Sequence, residues 1–165
     1  MATAAVPLAE LMERTKRVRI VSPETDLTFS IEGIGVVPCV GKVNMPDGEV
    51  FTAPGRDSVE GVITYNTRSI THEGHLFEGL RFTFKEGRIV DASCRIGEMA
   101  KLDAILNTDE GSRYIGEFAI GFHPEVTETY GETLFDEKVR GSLHFTPGAS
   151  YGAASNGNQS GVHWD

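Results

Sequence analysis

From Arg17 onward the chain alternates apolar and polar residues with a period of two. The segments RVRIVS, LTFSIEG, GEVFTAP, GVITYN, LRFTFKEG and RIVDASC share this pattern and are bounded by Gly, Pro, Asp or Asn. Successive side chains of a strand point to opposite faces, so these segments predict antiparallel strands that each bury one face. The alternation returns in YIGEFAIGF, GSLHFTP and GVHWD. Two stretches follow helical spacing instead. One runs from Leu8 to Thr15 with Leu8, Leu11 and Met12 on its stripe, and the other from about Gly97 to Leu106 with Met99, Leu102, Ile105 and Leu106. Pro46-Asp47-Gly48 predicts a tight turn that leads straight into Glu49, and Glu86-Gly87-Arg88 predicts a hairpin. The stretch SYGAASNGNQSG has no periodicity and predicts a flexible loop. The expected fold class is α+β, mainly antiparallel sheet with about two helices, in a single domain over residues 1–165.

Composition narrows the functional classes. At 165 residues with 39% apolar and 24% charged residues, the chain is long enough to bury a core of its own. A formal charge of −9 with scattered Lys and Arg argues against nucleic acid as a partner. No apolar run approaches the roughly 20 residues of a membrane span, so no membrane partner is expected. The N-terminal stretch lacks the order of a secretory signal, and a cytoplasmic location is expected. Cys39 and Cys94 lie far apart beside apolar or small residues and are expected as buried, unpaired thiols.

The chemistry-bearing positions share one local design. Glu49 precedes Val50, Glu117 precedes Phe118, His144 lies between Leu143 and Phe145, and His163 lies between Val162 and Trp164. If the apolar neighbours enter one layer, the Glu and His side chains face the opposite one. Asp165, two residues after His163, shares its face in an extended segment, and nitrogen and oxygen donors placed this way suit a divalent metal. Taken singly, each also fits a plainer role, a solvated Glu or a hydrogen-bonded core His. His72 and His75, in THEGHLFEG, are expected at the surface, and His123, before Pro124, is compatible with the mouth of a site.

Four ordered blocks, NMPDGEVFTAP, TDEGSRYIGEFAIGF, LFDEKVRGSLHFTPGASY and NQSGVHWD, resemble the signature segments of the thermophilic aminopeptidase family, that of aminopeptidases S and T, also called leucyl aminopeptidases. The resemblance covers nearly the whole chain. It implies a metal-dependent exopeptidase that removes N-terminal residues from peptides using two divalent ions. The ligands carried over are Glu49, Glu117, His144, His163 and Asp165, and Tyr151, seven residues after His144, takes the place of the family's active-site Tyr. All-nitrogen and oxygen ligation suits zinc, cobalt or manganese. Glu49 and Glu117 are candidates to move the proton, with Glu137 a weaker one, and the family's habit suggests a homodimer. The chain departs from the family in three respects: the family's other domain does not precede this region, the HxD is not followed by further strand, and FTPGASY replaces an aliphatic-Ala-Leu-Gly run. Pro147 in that segment is expected to bend the strand and shift Tyr151. The alternative reading is a truncated remnant that binds metal or peptide without turnover. Residues 162 to 165 are expected to depend on metal for their order.

Overall fold

The computed structural model describes residues 2–42, 44–71 and 74–165. In chain order its elements are α1 (Ala2–Glu13), β1 (Arg17–Ser22), β2 (Thr25–Ser30), β3 (Val37–Cys39), β4 (Glu49–Thr52), β5 (Glu60–Thr64), β6 (Arg68–Ile70), β7 (Leu76–Glu78), β8 (Arg81–Lys85) and β9 (Arg88–Ser93). There follow α2 (Met99–Leu106), a 3-10 turn at Glu110–Arg113, β10 (Ile115–Gly121), the short α3 (Thr133–Asp136), β11 (Leu143–Pro147) and a second 3-10 turn at Gly152–Ala154. The strands form a five-stranded sheet of order β1-β2-β5-β8-β9, a four-stranded sheet of order β11-β10-β4-β3, and a β6-β7 ribbon. Every strand pairing described is antiparallel, and the α+β class expected from the sequence holds.

The two larger sheets meet through aromatic side chains. Leu27, Phe29, Ile63, Phe82 and Phe84 of the first join Val50, Phe118 and Phe145 of the second in one buried cluster. The Phe29 ring lies 5.0 Å from those of both Phe118 and Phe145, and Phe84 lies 6.0 Å from Phe145. Full burial of a side chain this size stabilises the fold by roughly 1.5–3 kcal/mol. The faces of β4, β10 and β11 that carry Val50, Phe118 and Phe145 are thereby committed to the core. Their opposite faces are left for chemistry.

Helix α2 and the β8–β9 hairpin match expectation. Leu102 and Leu106 bury the helix face, and Lys85 pairs with Arg88 across Glu86 and Gly87, whose φ values of 48° and 78° are those of a tight hairpin turn. Helix α1 begins earlier than its expected start at Leu8. Ala5, Ala9 and Met12 form its buried face, while Leu11 is 49% exposed. Small Ala side chains, which carry little hydropathic signal, allow this helix to lie close over β3 and β4.

Two further expectations need correction. GVHWD is not a full strand, for only His163 bridges to Gly148. The 151–161 segment is also more firmly held than a flexible loop. Asn156 Nδ2 donates to the Pro54 and Ile115 carbonyls at 2.7 and 2.8 Å. Asn158, 2% exposed, donates from Nδ2 to Gly111 and Gly148 at 2.9 and 2.7 Å. Side-chain amides replace the ladder that a strand would have provided. Composition alone hides this, because the same Asn residues are typical of solvated turns.

Candidate metal centre

Register explains how residues distant in sequence converge. Ala119 of β10 stands opposite His144 on one side and Phe51 on the other, Gly121 stands opposite Glu49, and Glu117 stands opposite Thr146. Directly paired residues share a face, so Glu49, Glu117, His144 and Thr146 all rise from the face opposite the core. Ala119 and Gly121 are the small residues between them. A Cβ at Gly121 would collide with the Val139 carbonyl and meet that of Glu137, so only Gly lets this covering segment lie on the strand.

A regular strand would place Ile115 and Glu117 on the same side, yet Ile115 is core and Glu117 is not. A bulge at Gly116 resolves the conflict. Ile115 pairs with Pro147 and Glu117 with Thr146, so one residue of β10 is unmatched and the strand changes phase. Bulges commonly re-aim a side chain in this way.

The last three residues complete the cluster. Val162 O accepts from Ala149 N at 2.8 Å, and Trp164 N donates to Pro147 O at 3.1 Å. Trp164, 8% exposed, enters the core with its ring 5.4 Å from Phe77. Asp109 braces the approach, its Oδ1 accepting from Ser160 Oγ at 2.8 Å and its Oδ2 from Gly161 N at 2.6 Å. Residues 162 to 165, expected to depend on metal for their order, thus have backbone bonds and a buried indole as anchors of their own.

Asp109 gives this anchorage a pH dependence. The Gly161 amide hydrogen bond, with smaller help from Ser160 and Ser112, outweighs burial and holds its carboxyl below the usual range. A depressed folded-state value means that its stabilising contribution is present above the ordinary carboxyl pKa and fades as pH falls through the folded one. Asp109→Asn is expected to speed hydrogen exchange of the Gly161 amide at neutral pH, where the carboxylate is charged. Equal exchange in both proteins would refute the brace.

The donor atoms are closely spaced. His144 Nε2 lies 3.0 Å from Glu117 Oε1 and 3.3 Å from Glu49 Oε2. His163 Nε2 lies 3.2 Å from Asp165 Oδ2 and 3.7 Å from Glu117 Oε2. Ligands at about 2.1 Å from one tetrahedral ion are themselves about 3.4 Å apart, so these separations fit a metal between them. Two ligand groups result, Glu49–Glu117–His144 and Glu117–His163–Asp165, with Glu117 common to both. Glu49 Oε2 and His144 Nδ1 are buried without a hydrogen-bond partner among the described residues. His163 Nδ1 lies 2.8 Å from the Ala149 carbonyl, and donation there turns the Nε2 lone pair toward the cluster. Thr146 Oγ1 donates to Asp165 Oδ1, which orients that carboxylate.

Electrostatics favours positive charge at this place. Burial opposes protonation of His144, but Glu117 and Glu49 outweigh it and carry its pKa to about 10. At His163 burial is likewise outweighed, chiefly by Asp165. Burial acts against the charged forms of Glu49 and Asp165, yet His144 and Lys138 lower the first and His163 the second. Carboxylates that hold a proton on an imidazole would attract a divalent cation by the same field.

Other sequence candidates lie elsewhere or play other parts. Tyr151 is 50% exposed, and its ring centroid is 4.5 Å from that of His163. Burial, then Asp165 and Glu117, raise its phenol above the ordinary range, keeping it a donor at neutral pH. His123 Nδ1 accepts from Glu125 N at 3.2 Å, a local role. His72 lies outside the described residues. His75 is half-buried just before β7. Cys39 and Cys94 are free, as expected, but half-buried instead of buried. Cys39 also neighbours Asp47 and Glu49. Burial, then Glu49 and Asp47, push its thiol up to about 12, and Asp47 already accepts from the Gly41 and Gly48 amides at 2.5 and 3.0 Å.

Sequence reasoning missed Lys138. Its side chain is fully buried, with Nζ 2.7 Å from Glu49 Oε1 and 2.5 Å from Glu137 Oε2. Only the charge itself, in the run FDEK, is visible in the sequence, and such runs are usually solvated.

Fold and donor set together describe an antiparallel α+β protein with a carboxylate–imidazole crevice of metal-binding type. The chain belongs to the thermophilic metalloprotease (M29) family, whose pattern matches residues 7–165. It is 36% identical over 140 residues to aminopeptidase AmpS of Bacillus subtilis (strain 168), covering 77% of this chain and 33% of that one. The solved structure of wild-type AmpT from Thermus thermophilus superposes with a TM-score of 0.81 and 28% identity, over 99% of this chain and 45% of that chain. The chain thus spans about a third of the length of the curated relatives it matches. A dioxygenase acting on 2,5-dihydroxypyridine, from Pseudomonas putida KT2440, shares the fold with a TM-score of 0.75 at 16% identity, over 88% of this chain and 48% of that chain. Since differently named enzymes share the fold, function is argued from the side chains. Among the described residues no helix is long and apolar enough to cross a membrane.

Proposed function

We propose that the cluster is a dinuclear metal centre and that this chain carries the catalytic region of an aminopeptidase acting on peptides in the cytoplasm. The observation that carries the reading is Glu117, whose two oxygens face two separate groups of nitrogen and oxygen donors. Glu49 and His144 would hold one ion with Glu117 Oε1, and His163 and Asp165 the other with Oε2. Paired divalent ions of the zinc, cobalt or manganese type supply a Lewis acid for the scissile carbonyl and make an attacking water more acidic at neutral pH. Three carboxylates and two imidazoles bring about three negative charges, which nearly balance two dications.

The chain's own residues supply the rest. The Tyr151 phenol, whose ring lies beside His163, would donate to the oxyanion that develops on the carbonyl, a contribution of about 3 kcal/mol at most. Glu49 and Glu117 remain candidates to take the nucleophile's proton, and Glu137, bound to Lys138, is a weaker one. Docking of a free peptide N-terminus, as the neutral amine, beside the metal centre would confine cleavage to chain ends. Beside His144 and Asp165 lies a cavity of about 150 Å³ lined by Leu80, Phe82, Leu143 and Phe145, suited to an apolar N-terminal side chain. A homodimer belongs to the same proposal and rests on the family alone.

The test is to dialyse the purified protein against zinc or cobalt, count bound metal per chain, and offer leucine 4-nitroanilide. About two ions with chelator-sensitive hydrolysis are expected. Two ions without turnover would select the second reading, a metal-binding region that needs the remaining two thirds of its relatives' length to act. Absence of bound metal would overturn both.

A further inference from the structure

Among the described residues, Lys138 is the charged side chain with the least exposure, at 0%. An ammonium removed from water is costly unless paired, and its pairing here is specific. Nζ is held between Glu49 Oε1 and Glu137 Oε2, so one oxygen of a candidate ligand is already taken while the other, Oε2, is buried without a hydrogen-bond partner. The backbone that delivers Lys138 is fixed as well. His123 N donates to the Lys138 carbonyl at 3.1 Å, and Lys138 N donates to Phe135 O at 3.0 Å. The neighbouring carbonyls of Glu137 and Val139 rest on Gly121, the residue paired with Glu49. The bare strand position and the buried lysine thus belong to one arrangement centred on Glu49.

We propose that Lys138 is a positioning residue that claims Oε1 of Glu49 and confines Glu49 to ligation through Oε2 alone, on the His144 side of the cluster. This rests on the metal-centre reading above. Its consequence is a division of labour among the carboxylates. Glu49 serves one ion with one oxygen, and Glu117, which has no such lysine among its described partners, is the carboxylate free to use both. Lys138 also balances the charge of Glu137, so the pair adds no net charge to the crevice.

Lys138→Met tests the proposal, because Met retains the apolar stem and removes only the cation. With Oε1 released, Glu49 is expected to swing or to bind through both oxygens. Metal affinity, measured by competition with a chromophoric chelator, should weaken about ten- to a hundredfold. The visible absorption of the cobalt-loaded protein should change with the altered coordination. Unchanged affinity and an unchanged cobalt spectrum in a folded Lys138→Met protein would overturn the proposal. Should the variant fail to fold, the unaltered protein still decides the matter by nitrogen-15 NMR of its lysine ammonium groups. One slowly exchanging ammonium is expected, and it should persist and shift when zinc is added. Its loss on zinc addition would show both Glu49 oxygens taken by metal and overturn the proposal. A parent protein that binds no metal would instead refute the underlying reading.

Discussion

Glu117→Ala is expected to strip the protein of metal altogether, from about two ions per chain to none after dialysis against zinc. Loss of any other single ligand should cost mainly the ion it serves. The difference follows from geometry, since Glu117 Oε1 faces His144 and its Oε2 faces His163, with Glu49 and Asp165 beyond. Removing a shared carboxylate leaves each half with one carboxylate and one imidazole, too few donors for a tight site. Asp165→Ala, by contrast, leaves Glu49, Glu117 and His144 intact, and about one ion should remain. Metal analysis and leucine anilide hydrolysis of both variants would check this, with thermal melting in chelator to confirm folding. Equal metal content in the two variants would sink the idea that Glu117 is shared.

The second large effect is on stability. Trp164→Ala should destabilise the fold by about 3–5 kcal/mol, as truncation of a buried aromatic usually does. In a chain of this length that corresponds to a fall in melting temperature of roughly 10 °C or more. The indole is nearly buried against Phe77 and lies between His163 and Asp165, so the same change should loosen both donors. Metal affinity is expected to fall together with stability. Trp164→Phe, which keeps most of the apolar contact, should recover much of each. A melting temperature within a degree or two of the parent for Trp164→Ala would show that this anchor is unimportant.

Much of the donor face is legible in the amino-acid sequence, because strand alternation ties each polar position to an apolar neighbour that can be recognised. Val50, Phe118 and Phe145 announce a core face, and the facing of Glu49, Glu117 and His144 follows from them. The same logic predicts the β8–β9 hairpin and the stripe of α2. It fails where side chains act through hydrogen bonds instead of apolar burial. Asn156, Asn158 and Asp109 look like ordinary turn residues, and only their long-range partners reveal that they secure the final segment. The buried face of α1 is hidden because Ala is a weak hydropathic marker. Lys138 is hidden because a charge carries no sequence signal of burial. Its partner Glu49 lies 89 residues away.

The bulge at Gly116 also sets how the chain tolerates change. Across it the core-facing positions change phase, from Ile115 before the bulge to Phe118 after it, and Glu117 is turned to the crevice. A substitution within the strand alters a single side chain. Loss or gain of one residue at this point instead exchanges inside for outside along everything that follows, bringing a carboxylate inward and Phe118 outward. Spacing at Gly116 is therefore a physical constraint of its own, beside the one on composition, since any Cβ there would collide with the Ala149 carbonyl.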